Sequence, residues 1–451
     1  MSNTTLDDKL LKANKKAKLA QAKSIEQSEK NRLKLLKAGY DAIKSHPQRR
    51  PIVVENLKTE DDHLSKMDRI KSISAARNMV RNFSLVKSMI ARHKDCIIGT
   101  GCKLRLKTKD KDKDKAVEEW FNKKWATAAA CDGRKRMDLW SYQRAVFERW
   151  EVDGESIIWF DDKGGQMFGF EADQLTSPSD WQGKKGEKIV DGIVVDRFGV
   201  PKSYIVSPDG NQNSTMGKVM NFKADKILHV AEFNRFRQTH GISMILHSAG
   251  LLTDLQDYMK SDLLSSKAAA KFAMFVKRND AMKFEGARTG NDIDVEGTGD
   301  DAPTGGTSAA LTAASSYNRL EQITGGAFEY LQPGEDIGVI KPERPNQAFA
   351  DYVRAATRFI GAGNSLPLEM VLMDFSQTNY SSARAAILLS WLTMNAIASW
   401  FDINFNIPVA MRALKWGVEN DGLELPDGWE MGMTFSHPKM PEIDRLKAVK
   451  A

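Results

Sequence analysis

From Ile70 to Ile97 apolar residues recur every three or four positions, through Ile73, Ala76, Val80, Phe83, Val86 and Ile90. That spacing predicts one amphipathic helix with a single apolar face, ended by Gly99 and Gly101. Lys103–Lys107 alternates charge with leucine and reads as a strand, and the alternating Asp and Lys of 110–115 predict an exposed turn. Val117, Trp120, Phe121 and Trp125 mark a short helix, and Trp140, Val146, Phe147 and Trp150 a longer one from Leu139 to Val152. The period then changes to two. Ser156–Phe160, Met167–Phe170, Gly192–Val195 and Ser203–Val206 read as short strands divided by Gly-, Pro- and Asp-containing turns, one small antiparallel region. Ile227–Val230 is a further strand.

Helical periodicity returns after Gly241. Leu255, Met259, Leu263, Ser266, Ala269 and Ala273 form a stripe whose later half is small enough for close helix–helix approach. Residues 285–326, rich in Gly, Thr, Ser, Asp and Ala, read as a long flexible loop. A second long helix starts near Phe349, with Val353, Ala356 and Phe359 on one face, and ends at Gly361–Gly363. Pro367 opens a short segment to Met373. A third long helix starts at Ser381 or Ser382, one of which is expected to cap it, with Ile387, Trp391, Met394, Ala398, Phe401 and Phe405 buried. Pro408 is expected to kink or restart it, because proline lacks the N–H of the helical ladder.

These elements make an α+β chain of 451 residues, long enough for two or three ordinary domains. Apolar residues at 41% allow a sizeable core and argue against wholesale disorder. The Lys-rich start has no apolar run behind it, so no secretory signal is expected. Three cysteines are no disulfide framework, which points to a reducing, cytosolic setting. The longest apolar stretch, Ala385–Trp400, is interrupted by Ser390, Thr393, Asn395 and Ser399. It falls short of the roughly 20 residues a membrane span needs, so no membrane contact is expected. The net charge of +7 hints at nucleic acid, but residues 1–50 hold 13 Lys/Arg against 5 Asp/Glu, so the other 401 residues net to −1. The arm reads either as a solvated, partly helical tail or as a contact for DNA or an acidic partner surface, and the near-neutral body argues against a tight grip on phosphates.

Enzyme chemistry is hard to find. There is no Gly-x-x-x-x-Gly-Lys-Ser/Thr loop and no Gly-x-Ser-x-Gly elbow. Cys96, Cys102 and Cys131 lack metal-ligand spacing, and His93 beside Cys96 is the best that the chain offers toward zinc. The seven histidines are scattered, and His229 inside a strand reads as structural. The acid pairs Asp153 with Glu155 and Asp161 with Asp162 sit near turns, where such residues ordinarily cap backbone N–H groups. No catalytic residue, metal or cofactor is assigned.

Several strings together resemble one family, the lambda-type portal proteins of tailed bacteriophages. They are Asp153–Ser156, Glu171–Leu175, Asp191–Pro201, Ala224–His229, Gln238–Ser243, Leu331–Asp336, Arg344–Pro345 and, as the most specific, Met373-Asp-Phe-Ser-Gln-Thr-Asn-Tyr-Ser-Ser-Ala-Arg384. Ile443–Asp444 with Lys447 and Ala448 resembles the family's C-terminal signature. The likeness covers roughly residues 70–449. Family members usually continue further, so a reduced or missing crown is expected.

The resemblance implies a homo-oligomeric ring of about twelve subunits at a unique capsid vertex of the virion, assembled in the host cytoplasm. It serves as the channel for DNA packaging and ejection. In these terms 1–69 is a basic arm, 70–247 the wing, 248–276 the first stem helix, 277–341 the clip, 342–372 the second stem helix, and 373–382 the tunnel loop. Residues 383–451 then form a kinked helix with a C-terminal wing segment. Implied partners are double-stranded DNA bound without sequence preference, the large terminase subunit, major capsid protein or scaffold, and head-completion or adaptor proteins. Ser376, Gln377, Thr378, Asn379, Ser381, Ser382 and Arg384 would meet DNA in the tunnel loop. Lys267, Lys271, Arg354 and Arg358 on the stem helices would face the channel or pair with neighbouring subunits. The alternatives are another head–tail connector or capsid protein and, more remotely, a metal-dependent DNA-processing enzyme built on Asp161 and Asp162.

Overall fold

The computed structural model describes residues 61, 64–178, 181–184, 186–207, 219–271, 275–278, 335–338 and 348–440. The basic arm through residue 60, the glycine-rich loop 285–326 and 441–451, with the C-terminal signature, lie outside them, as does most of 277–341. The packing below belongs to the compact unit that begins at Lys66 and omits 235–238.

The helix expected over 70–97 is two helices, α1 (Lys66–Asn82) and α2 (Ser84–Ile97). Phe83 between them is extended, with φ −121° and ψ 108°. Its ring packs on the core, and the break lets both helices turn their apolar faces inward. β1 (Lys103–Leu106) has the expected alternation, with both leucines buried. The turn expected at 110–115 is instead the start of α3 (Lys111–Glu119). Asp110 caps it by accepting from the N–H groups of Asp112 and Lys113, and the acids in its first turn suit the helix dipole. A π-helical turn, Trp120–Trp125, leads to α4 (Ala128–Cys131) and then α5 (Leu139–Asp153). α5 ends on Gly154 in the left-handed region.

The β region is two sheets rather than one. In the first, β2 (Glu155–Asp161) lies between β3 (Gln166–Phe170) and a later strand, β8 (Ile227–Ala231). The second is an antiparallel meander of β4 (Lys188–Val190), β5 (Ile193–Val195), β6 (Pro201–Val206) and β7 (Met220–Lys223). Ile157, Phe170, Val195, Tyr204 and Phe222 share a small core where the sheets meet.

α6 (Ala249–Lys271) and α7 (Ala348–Gly363) follow, with β9 (Phe275–Arg278) and β10 (Glu335–Gly338) paired antiparallel between them in sequence. After α8 (Leu368–Leu372) comes α9 (Tyr380–Phe401). The break expected at Pro408 is a π-helical turn, Asp402–Asn406, just before it, and α10 (Ile407–Asp421) continues with the proline in its first turn. There the missing N–H is harmless. The run Tyr380–Asp421 is therefore long and apolar enough, by length and composition, to cross a membrane. Its second half is nonetheless a core helix: Phe401, Phe405, Val409, Ala410, Ala413 and Leu414 are buried in this chain. Phe401 packs edge-on to Phe147 and stacks on Phe405, and Trp400 stacks on Trp150, which locks α9 to α5. α11 (Trp429–Gly432) leads into β11 (Met433–Ser436), which pairs antiparallel with β1.

Strings far apart in sequence converge on one buried charge. The Glu155 carboxylate is fully buried. It accepts from Arg69 on α1 at 3.0 Å, from His229 on β8 at 2.9 Å, from His240 at 3.0 Å and from the Gly241 N–H at 3.1 Å. Arg69 also donates to Asp191 and to the Ala172 carbonyl. About two turns further along α1, Arg77 grips Asp153 with two bonds of 2.8 and 2.7 Å and also reaches Asp173 at 2.8 Å. Gly241 passes so close to Gly154 that a Cβ on it would lie 2.0 Å from the Gly154 carbonyl oxygen. Asp153 and Glu155 are thus buried structural anions, not the turn caps that their Asp-Gly-Glu context suggests.

Burial opposes ionisation of Glu155, but His240 and His229 overcome it and hold its carboxyl well below the ordinary value of 4.5. A lowered folded-state value means that its contribution is full above about pH 4.5 and disappears as the pH falls through the folded value. Glu155→Gln strands Arg69 and His240 and should cost about 3–5 kcal/mol of unfolding free energy at pH 7. Chemical denaturation should also show that the variant lacks the wild type's added loss of stability below pH 4.5. An equal cost at pH 7 and pH 3 would contradict this account.

Candidate nucleic-acid interface

α8 ends on Met373, a non-glycine residue in the left-handed region with φ 55°, and the chain turns out into the exposed segment 374–379. Local hydrogen bonds fix this loop. Asp374 accepts from the Ser376 N–H at 2.9 Å. The Thr378 N–H donates to the Phe375 carbonyl at 3.2 Å, and its hydroxyl donates to Glu369 on α8 at 2.7 Å. Asn379 is the cap of α9, its side-chain oxygen accepting from the Ser382 N–H at 2.8 Å. The expectation that Ser381 or Ser382 would do this is corrected: both lie inside the helix. Asn379, in the extended conformation that a cap needs, stands three residues before the N–H that it satisfies.

Ser376, Gln377, Asn379, Ser381, Ser382 and Arg384 are exposed, and Thr378 is half-buried. The segment thus presents short uncharged groups beside the exposed rings of Phe375 and Tyr380, with one cation, Arg384, and one anion, Asp374. The Ser376 backbone and hydroxyl bonds, with the field of Arg354, hold the Asp374 carboxyl below its usual range. Asp374 was not singled out from the sequence, although an Asp two residues before a Ser is the signature of such a turn.

The base of the loop is anchored on three sides. Ser88 on α2 donates to the Val371 carbonyl at 2.9 Å, Ser390 on α9 donates to the Ser365 carbonyl at 2.7 Å, and Asn364 donates to Ser248 at 3.4 Å. α6 and α7 run antiparallel: Tyr258 meets Phe349 and Tyr352 at one end, and Ser248 meets Asn364 at the other. Of the basic residues expected on these helices, Lys267 and Arg358 are exposed and Arg354 is half-buried. Lys271 is the last residue of α6. The structure brings Arg354 into the field of the loop through Asp374.

Large apolar side chains on the same helices have no cover among the described residues. On α6, Leu252 and Leu255 are buried, but Met259, Leu263 and Leu264 are exposed. On α7, Ala356, Thr357 and Ile360 take the inward face, so Phe359, expected there with Val353 and Ala356, points outward at 73% exposure. On α9, Leu389 and Leu392 are 68% and 67% exposed. A groove of about 310 Å³ runs beside these helices, lined by Phe83, Leu85, Leu255, Met259, Val353 and Leu372.

The remaining candidates have structural uses. Asp161 accepts from the N–H groups of Lys163 and Gly164, and Asp162 pairs with Lys226 at 2.5 Å, so these acids shape the β2–β3 turn. His93, proposed beside Cys96 as a ligand, is bonded to Glu151 and to the Asn364 carbonyl. Cys102 and Cys131 are buried core residues.

The family described as "Phage portal protein, lambda family" matches residues 55–397 of this chain. Among solved structures, the neck of an empty gene transfer agent particle, computed with C6 symmetry, is 14% identical with a TM-score of 0.42, over 84% of this chain and 86% of that one. The neck of the native particle, computed with C12 symmetry, is 14% identical with a TM-score of 0.40, over 86% and 92%. An HK97-family phage portal protein from Corynebacterium diphtheriae is 10% identical with a TM-score of 0.29, over 72% and 83%.

Removing the cap of α9 tests the loop geometry. Asn379→Ala should lower unfolding free energy by about 1 kcal/mol, while Ser381→Ala and Ser382→Ala should change it by less than about 0.5 kcal/mol. Denaturant titration of the three variants decides the matter, and a larger loss at either serine would contradict the assignment.

Proposed function

This chain belongs to the lambda family of phage portal proteins, a structural family whose members form the channel for DNA packaging, and from that membership we propose which parts of it do what. The observation that carries the reading is the set of exposed apolar side chains that α6, α7 and α9 each present among the described residues. Side chains such as Phe359, Leu389 and Leu392 at about 70% exposure are expected on a surface that a partner covers. Repetition of one such contact from subunit to subunit closes a ring when the rotation between neighbours divides a full turn. We assign α6 and α7 to the stem, the segment between them to the clip that meets the large terminase subunit and head-completion proteins, and the two sheets with their flanking helices to the wing facing the capsid. About twelve copies at a unique vertex is the expected closure.

In this arrangement the 374–379 loop and the first turn of α9 face the bore. Ser376, Gln377, Thr378, Asn379, Ser381 and Ser382 offer hydroxyl and amide groups that bond a phosphate oxygen weakly and exchange readily. Arg384 supplies one cation per subunit, and Lys267, Lys271, Arg354 and Arg358 carry the positive field along the stem or pair between subunits. Contacts to the backbone alone suit a channel that must pass every sequence. The near-neutral body matters for the same reason, since many strong phosphate contacts would hold DNA in place.

Charge added to the loop tests this placement. A unit charge about 4 Å from a phosphate is worth about 1 kcal/mol in water, or about fivefold in an equilibrium. Ser376→Asp combined with Gln377→Glu should leave assembly intact, because both side chains are exposed, and should cut the DNA packaged in a terminase-driven assay at least about fivefold. Wild-type packaging by normally assembled variant particles would overturn the assignment of this loop to the bore.

A further inference from the structure

Three buried or half-buried histidines share one unusual arrangement. The Nδ1 of His93 on α2 faces the Glu151 carboxylate on α5, and its Nε2 lies 2.9 Å from the Asn364 carbonyl oxygen in the α7–α8 turn. His240 Nδ1 lies 3.0 Å from Glu155, and its Nε2 lies 3.1 Å from the Val190 carbonyl oxygen. His437, just past β11, has Nε2 2.9 Å from Asp402 and Nδ1 2.8 Å from the carbonyl oxygen of Ile97. Each ring therefore has a carboxylate on one side and a main-chain carbonyl on the other. Neither partner has a proton to give. A neutral imidazole has one N–H and one bare nitrogen, and only the imidazolium donates from both.

We propose that His93, His240 and His437 are proton-dependent clasps, each joining two distant chain segments only while it carries both protons. The segments are those that frame the candidate interface and the wing. His93 ties α2 and α5 to the turn that leads into α8 and the exposed loop. His240 ties β2 to β4. His437 ties β11 to the end of α2 and to the π-helical turn after α9.

The charges around each ring bear this out. His93 meets Glu151 from α5 and only main-chain oxygen from the α7–α8 turn, with His247 on the far side of Gly363. His240 meets Glu155 from β2 and, against it, the Arg69 guanidinium from α1, which is itself paired with Asp191; His229 from β8 shares the same carboxylate. His437 meets Asp402 and the Cys102 thiol. Burial pushes all three imidazoles down, but the carboxylates outweigh it, so all three are raised above the ordinary 6.5, His437 to about 10. A raised folded-state value means that the clasp contributes fully below about pH 6.5 and is lost as the pH rises through the folded value.

The direct test is mass-spectrometric measurement of hydrogen exchange at the imidazole C2 position of each histidine in the intact full-length assembly, from pH 6.0 to 8.5. That exchange proceeds through the imidazolium and hydroxide, so its rate climbs about tenfold per pH unit until the ring loses its proton and is level thereafter. Free histidine levels off near pH 6.5. The His437 rate should still be climbing at pH 8.5 and those of His93 and His240 should go on climbing past pH 6.5, with burial lowering each rate but not the slope. Level rates above pH 6.5 would overturn the proposal for that ring. In parallel, the pH dependence of unfolding between pH 7.0 and 8.5 should weaken in His93→Gln, His240→Gln and His437→Gln, the last losing about a tenfold change in the unfolding constant per pH unit. The window ends there because the Cys131 thiol, pushed up to about 12 by burial, adds pH dependence of the same sign at higher pH. Unchanged slopes in all three variants would overturn the proposal. A variant that does not fold leaves the exchange measurement on the wild type as the deciding one.

Discussion

A carboxylate sealed from water must be surrounded by donors or give up its charge, and Glu155 meets that constraint by drawing three segments around it. Arg69 comes from the first helix, His229 from β8, and His240 with the Gly241 N–H from the turn that precedes α6. Gly154 and Gly241 are glycines because the backbone of one lies where the side chain of the other would be. The cluster therefore fixes where the first sheet sits against α1 and where the chain stands as it sets out toward the long helices.

From this anchor the geometry passes outward through packing. Glu155 follows α5 directly, and α5 carries Phe147 and Trp150, which hold α9 through Phe401 and Trp400. α9 begins with the Asn379 cap and the exposed polar loop. The loop's other end is fixed by α8, which Ser88 holds against α2. The base is rigid and the tip is short, locally hydrogen-bonded and charged only at Asp374, which supports the proposed place of the loop beside moving DNA. The exposed apolar side chains of α6, α7 and α9 support the proposal that the same helices also meet neighbouring copies.

Periodicity made much of this legible. The helices of 139–153, 249–271 and 380–401 and the strands β2, β3, β5, β6 and β8 lie within a few residues of where the apolar spacing puts them, the short edge strands β4 and β7 carry no such pattern, and the 373–384 string carried the family. The failures are local rules overridden by distant partners. Asp153-Gly-Glu155 reads as turn chemistry because Arg69, Arg77, His229 and His240 lie more than 70 residues away in sequence. Phe83 breaks an apparently continuous helix because two shorter ones cover the core better than one straight one. Phe359 and Ile360 are adjacent and both apolar, so spacing alone does not say which points inward. The two serines of α9 obscured the better cap, Asn379, whose position relative to Ser382 is the one that matters. The three doubly bonded histidines were invisible, since half of their partners are main-chain carbonyls, which the sequence does not encode.

The central claim is that the faces left bare in one chain are covered by its neighbours in a closed ring, with 374–384 toward the axis. Electron microscopy of the purified full-length assembly, taken to a resolution that shows side chains, tests it most directly. The account predicts a ring of about twelve copies in which Phe359, Leu389 and Leu392 are buried between subunits and the 374–379 loop lies nearest the axis of a bore wide enough for duplex DNA. A stable monomer or dimer, or a ring with that loop on its outer rim, would contradict it.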